Sequence, residues 1–180
     1  MALHFTPDEF QSRELKLIQS MKNKNIDAML LFHQESMYWL TGYDTFGYVF
    51  FQCLVFTEKG QKILLTRAAD LRQAQNTSNI KDIRIWIDRD NNNPADELKS
   101  ILLELELENK NLGIEYDTYG LTGKNTMMLN TSLHNFAKLH DESLLIKKLR
   151  FIKSNQEIEY VQKAASLADK ALVKAWELSH

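Results

Sequence analysis

Ile26-Asp27-Ala28-Met29-Leu30-Leu31-Phe32 is a short apolar run with polar residues on either side. Such a run is too short for a core helix and reads as a strand buried on both faces. What precedes it reads as a helix. Thr6-Pro7-Asp8-Glu9 places an N-cap, a proline at the first helical position and a glutamate at the third. Phe5 and Phe10 stand at the positions of a hydrophobic staple, and Phe10, Leu17, Ile18 and Met21 share one helical face. Residues 23–25 are expected to end this helix.

Downstream, helix and strand patterns keep alternating. Residues 33–36 form a polar break. Residues 48–57, rich in aromatic and β-branched side chains, read as one long strand. Glu58-Lys59-Gly60 is a tight turn into Lys62-Ile63-Leu64-Leu65, which predicts a hairpin. Residues 67–75 read as a short helix, and residues 80–87, with Ile83, Ile85 and Ile87 alternating, as a strand. Asn93-Pro94 opens a helix carrying Leu98, Ile101, Leu102 and Leu105. Leu112-Gly113-Ile114-Glu115-Tyr116 is a short strand, and residues 122–137 form a helix with Met128, Leu129, Leu133 and Phe136 inward. Lys138-Leu139-His140 returns to the sheet. The alternation predicts an α/β fold, a mixed or parallel sheet with helices on both faces.

The last segment differs. Ser154-Asn155-Gln156-Glu157 is a capping box, and behind it Ile158, Val161, Ala165, Ala168, Leu172 and Ala175 repeat at spacings of three and four. That predicts a helix of roughly 25 residues, about 37 Å long. Running to His180 with no stop signal, it is expected either to mark a cut chain or to dock on a partner. The chain therefore divides into an α/β domain over residues 1–150 and a linker helix over 151–180.

Composition limits the function classes. The 180 residues are 44% hydrophobic and 26% charged, with a net charge of −2. That gives no basic footprint for nucleic acid or an anionic membrane. No apolar run approaches the roughly 18–20 residues of a membrane span. The opening MALHFTPDEF has neither the basic nor the apolar region of a signal peptide. Cys53 is the one cysteine, so an intrachain disulfide is impossible and a reducing compartment, the cytoplasm, is expected.

The chain shows no complete catalytic centre. His4, His33, His134, His140 and His180 include no pair at metal-binding spacing, and there is no H-E-x-x-H. Asp88-Arg89-Asp90-Asn91-Asn92 opens like a calcium loop, but Asn93 replaces the glycine and Lys99 the glutamate. No phosphate-binding glycine motif and no G-x-S-x-G occurs. Glu104, Glu106 and Glu108 read as a solvated helix face, and Cys53, inside a strand pattern, as a buried structural residue. No catalytic residue, metal ligand or cofactor is expected in this chain.

One segment stands apart. Residues 37–52, MYWLTGYDTFGYVFFQ, crowd seven aromatic residues, with Gly42 and Gly47 bracketing a loop. One reading is a core-lining turn and strand. The other is a ligand-facing or subunit-facing loop, since aromatic loops on rigid scaffolds make binding surfaces. Tyr43, Asp44, Phe46, Tyr48 and Gln52 are the candidates for that surface, acting by shape and hydrogen bonding.

Three features together resemble a known arrangement: the opening helix followed by Ile26 to Leu31; the stretch Tyr38-Trp39-Leu40-Thr41-Gly42-Tyr43-Asp44; and Leu149-Arg150-Phe151-Ile152-Lys153-Ser154-Asn155-Gln156-Glu157-Ile158 leading into an alanine-rich helix. The chain resembles, over essentially its whole length, the N-terminal domain of the creatinase/prolidase/aminopeptidase P family. The resemblance implies a mixed sheet flanked by helices, and a C-terminal pita-bread catalytic domain. In the peptidase branch that domain binds two divalent metals, commonly manganese, cobalt or zinc, and none of those ligands maps here. The creatinase branch hydrolyses a C–N bond without them. It further implies a homodimer in which this domain covers the substrate site, often that of the neighbouring subunit. The expected substrate is an Xaa-Pro peptide or a small amide or amidino compound. Gly-Tyr-Asp followed by aromatics and Gln-Cys looks closer to creatinase-like and ectoine-hydrolase-like members. No arginine lies between Gly42 and Gln52, so creatine itself is not expected. The rival expectation is a non-enzymatic binding module, as in the related domain of the large subunit of the FACT histone chaperone.

Overall fold

The computed structural model of the chain describes residues 3–90 and 92–179. Met1, Ala2, Asn91 and His180 lie outside the described residues. Asn91 of the acidic loop and the predicted helix end at His180 fall there. Contacts divide the chain into two compact units, Met1–Leu149 and Arg150–His180.

The first unit begins with α1 (Pro7–Asn23), whose N-cap Thr6 accepts from the Glu9 amide at 3.3 Å. The Phe5 and Phe10 rings meet edge to face at 6.1 Å, which closes the staple. The chain leaves the helix through Asn25 at φ 55° and enters β1 (Ala28–Leu31). Then follow α2 (Gln34–Thr41), β2 (Cys53–Thr57), β3 (Lys62–Arg67), α3 (Leu71–Thr77) and β4 (Asp82–Trp86). After these come α4 (Pro94–Glu104), β5 (Asn111–Ile114), α5 (Gly123–Ser132), β6 (Lys138–Asp141) and α6 (Leu145–Leu149).

The six strands form one mixed sheet in the order β4-β3-β2-β1-β5-β6. β1 and β2 run antiparallel, as do β2 and β3. β3–β4, β1–β5 and β5–β6 are parallel. The sheet is covered on both faces, which explains the unbroken apolar run that opens β1. Ala28 and Leu30 enter one core layer with Leu98, Leu102 and Leu129 of α4 and α5. Met29 and Leu31 enter the other, with Leu17 and Met21 of α1, Met37 and Leu40 of α2, and Leu145 and Ile146 of α6. Cys53 is buried in the first layer, and burial raises its thiol pKa.

Three sequence expectations change. Residues 48–57 are not one strand: Gly47–Val49 is a 3-10 turn and only Cys53–Thr57 is β. Tyr48 and Phe50 face solvent, so their β propensity has no sheet to join, while Phe51 turns into the core. Residues 37–41 are helical because Ser36, Met37 and Leu40 bury at helical spacing, and Gly42, at φ 81°, ends the turn in the left-handed region. α5 stops at Ser132, and the chain turns at Asn135 (φ 57°) before β6. In the edge strand β4, Ile85 is exposed, as is Ile87 just after it, while Trp86 turns into the core.

The second unit is α7 (Asn155–Ser179). Its capping box is reciprocal: the Ser154 amide donates to Glu157 Oε2 at 2.8 Å and the Glu157 amide to Ser154 Oγ at 3.2 Å. None of its described residues is buried, although Val161, Leu172 and Trp176 are apolar. Among the described residues, no helix is long and apolar enough to cross a membrane.

Candidate functional site

The loop between α2 and β2 is built on polar groups beneath it. Gly42 closes α2 by donating its amide to Tyr38 O at 2.8 Å. Thr45, buried, is the hub: its hydroxyl accepts from the Gly47 amide at 2.8 Å and from Gln52 Nε2 at 3.3 Å. Its carbonyl accepts from Gln34 Nε2 at 3.0 Å. Gly47 lies flat on this platform. A Cβ there would collide with the Gln52 amide and come within 2.7 Å of the Asp70 carboxyl. Asp70 in turn takes a hydrogen bond from Arg67 Nε at 3.0 Å, and the Arg67 guanidinium stacks on the Phe50 ring, 3.3 Å from its centroid.

This platform sorts the five residues selected from the sequence. Asp44 is exposed, Phe46 is 86% exposed and Tyr48 37%. Tyr43 and Gln52, at 0% and 2%, lie under the loop rather than on its face. The Tyr43 hydroxyl sits beside those of Thr45 and Thr66 without hydrogen-bond geometry to either, and burial raises its pKa. The outer surface is thus Phe46, Tyr48, Val49 and Phe50, which together make an apolar knuckle.

A second feature was not picked out in the sequence. Glu115 follows β5, is 1% exposed, and reaches across to the start of α2. Its carboxylate accepts from the Phe32 amide at 3.1 Å, the His33 amide at 2.9 Å and Ser36 Oγ at 2.6 Å. Burial raises its pKa to about 7, against the pull of those three donors. Only the parallel pairing of β1 with β5 brings this residue to α2, so the single acidic residue after a strand gave no signal. Beside it, Gly120 packs under Phe32 O and Tyr48 O, where a Cβ would meet them at 2.8 and 3.1 Å. Gln34, Glu35, Tyr48, Thr118, Tyr119 and Gly120 line a pocket of about 180 Å³. The loops after β1 and β5 and the aromatic knuckle therefore converge at one end of the sheet.

No group of three or more His, Cys, Asp or Glu among the described residues is placed to hold a metal. Glu115 is a buried carboxylate with three hydrogen-bond donors. This end of the domain presents groups that can bind and position a ligand.

Residues 13–152 match the family model for the creatinase/prolidase N-terminal domain. The chain belongs to this family. It is 29% identical over 184 residues to an uncharacterized hydrolase/peptidase of Sinorhizobium fredii, an alignment that takes in 98% of this chain and 47% of the relative. It is 29% identical over 181 residues to the ectoine hydrolase of Halomonas elongata, covering 93% of this chain and 43% of that enzyme. In fold it is similar to the Xaa-Pro dipeptidase of Bacillus anthracis, with a TM-score of 0.76 at 22% identity over 94% of this chain and 43% of the other. The chain spans less than half the length of these creatinase/prolidase relatives.

Proposed function

We propose that the chain is the non-catalytic N-terminal domain of a hydrolase of the Xaa-Pro peptidase or ectoine-hydrolase type. One observation carries this: a family match over residues 13–152 to an N-terminal domain, in a chain that covers only 47% and 43% of its curated relatives. The exposed knuckle gives the domain its task. Asp44, Phe46 and Tyr48 face the substrate or the neighbouring subunit of a homodimer, while Tyr43 and Gln52 hold the loop from below. The substrate is a peptide or a small amide or amidino compound, and likeness to the ectoine hydrolase supports the smaller class. Two divalent metals, manganese, cobalt or zinc, where the enzyme uses them, are held by the catalytic domain. The single cysteine supports a cytoplasmic location.

The test is to purify the 180-residue chain to homogeneity and assay it for metal content and for Xaa-Pro dipeptide hydrolysis. We expect no stoichiometric metal and no turnover. Turnover that copurifies with this chain would overturn the proposal.

A further inference from the structure

β1 and β5 are parallel neighbours, with Ala28 opposite Leu112 and Leu30 opposite Ile114. From their carboxyl ends the chain departs in opposite directions. After β1 it enters α2, whose Met37 and Leu40 belong to one core layer. After β5 it enters α5, whose Leu129 belongs to the other. Divergence of this kind opens a crevice at the carboxyl edge of a parallel pair, the place where open α/β sheets bind ligands. The 180 Å³ pocket lies in that crevice, its walls drawn from the first turn of α2 (Gln34, Glu35), the loop after β5 (Thr118, Tyr119, Gly120) and Tyr48. At roughly 30 Å³ per water it has the volume of about six waters, room for one side-chain-sized head group.

Its electrostatics select the sign of the ligand. Glu35 is the only charged residue among the six that line it. The Glu35 side chain is about half exposed, and its Oε2 lies 2.5 Å from Nδ1 of the adjoining His33. The amino end of α2, which would otherwise favour an anion, is occupied: the Phe32 and His33 amides both donate to Glu115. The nearby Asp117 and Lys147 pair with each other at 2.7 Å and cancel. An anion entering the crevice would meet the Glu35 carboxylate, whereas a cation would meet a counter-ion and two tyrosines.

We propose that this crevice binds a small organic cation, an ammonium or guanidinium head, with Glu35 as counter-ion and Tyr48 and Tyr119 as aromatic walls. The site is read on this domain alone and does not depend on the hydrolase reading. Its source is either a free amine or the amino terminus of a peptide, and one set of titrations separates them. The 180-residue chain is titrated at pH 8 and low salt with n-butylguanidinium, n-butylammonium and the neutral 1-pentanol. Triglycine and N-acetyl-triglycine are titrated in the same way, with amide chemical shifts as the readout. Saturable millimolar binding of the cations, absent for pentanol and weakened fivefold or more by Glu35→Gln and by Tyr119→Ala, supports the site. Binding of triglycine but not its acetylated form assigns it to peptide termini; binding of the butyl cations alone assigns it to free amines. Equal binding of pentanol, no saturable binding of any cation, or binding indifferent to Glu35→Gln overturns it. Both substitutions are at exposed side chains, so loss of the fold does not obscure the result.

Discussion

Glu115 couples the stability of the fold to pH. Its folded pKa of about 7 exceeds the 4.5 of an ordinary glutamate because burial disfavours the carboxylate. Between those values the folded chain keeps a proton that the unfolded chain releases. This group therefore stabilises the fold fully below pH 4.5, and the contribution is lost as pH rises through about 7. At 1.36 kcal/mol per pKa unit the loss is about 2–3 kcal/mol across pH 5 to 8. Asp117 and Asp141, whose pKa values are lowered by hydrogen bonds from Lys147 and Ser143, titrate below this window. Glu115→Gln keeps the shape and removes the charge. Urea unfolding at pH 5 and pH 8 should show the wild-type chain losing stability and the variant losing at least 1 kcal/mol less. Identical losses would mean that Glu115 does not titrate in this range.

At the scale of elements, the joint between α1 and α2 depends on a buried cation. Arg13 is 1% exposed; Nε donates to Glu9 at 2.9 Å and Nη1 to Trp39 O at 2.7 Å, and the guanidinium lies 4.0 Å from the Phe5 ring centroid. Arg13→Ala removes packing and leaves the Glu9 carboxylate and a helix carbonyl without their donor. It should cost about 3 kcal/mol, measured by urea unfolding; a cost under 1 kcal/mol would show the joint to be ornamental. This joint was not legible in the sequence, because an arginine on a helix ordinarily reads as a solvated face. The helices α1, α4 and α7 were legible, each announced by a cap: Thr6, Asn93 and Ser154. β1 and the β2–β3 hairpin were legible from apolar runs and a glycine turn. The segment from residue 37 to 52 was not, because its aromatics fit a strand as well as a helix. Tertiary contacts decide there, with Gly42 and Gly47 placing the breaks.

At the scale of the whole molecule, the aromatic density of residues 37–52 pointed to the knuckle that the fold presents. It could not separate exposed Phe46 and Tyr48 from buried Tyr43 and Gln52. That sorting comes from Thr66 and Asp70, which approach only when β3 and α3 pack beneath the loop. The crevice was hidden for the same reason: Glu35 and Tyr119 are 84 residues apart and meet through the β1–β5 pairing. Under the proposed function, the knuckle serves a hydrolytic site supplied by another part of the protein. The most direct measurement is kcat/KM for an Xaa-Pro dipeptide or a small cyclic amide, taken on the chain joined to the rest of its reading frame. It is repeated with Phe46→Ala and Tyr48→Ala together. Both side chains reach solvent, so the fold should persist, and kcat/KM should fall tenfold or more, an activation difference of about 1.4 kcal/mol. An unchanged kcat/KM in a folded double variant would show that the knuckle does not serve that site.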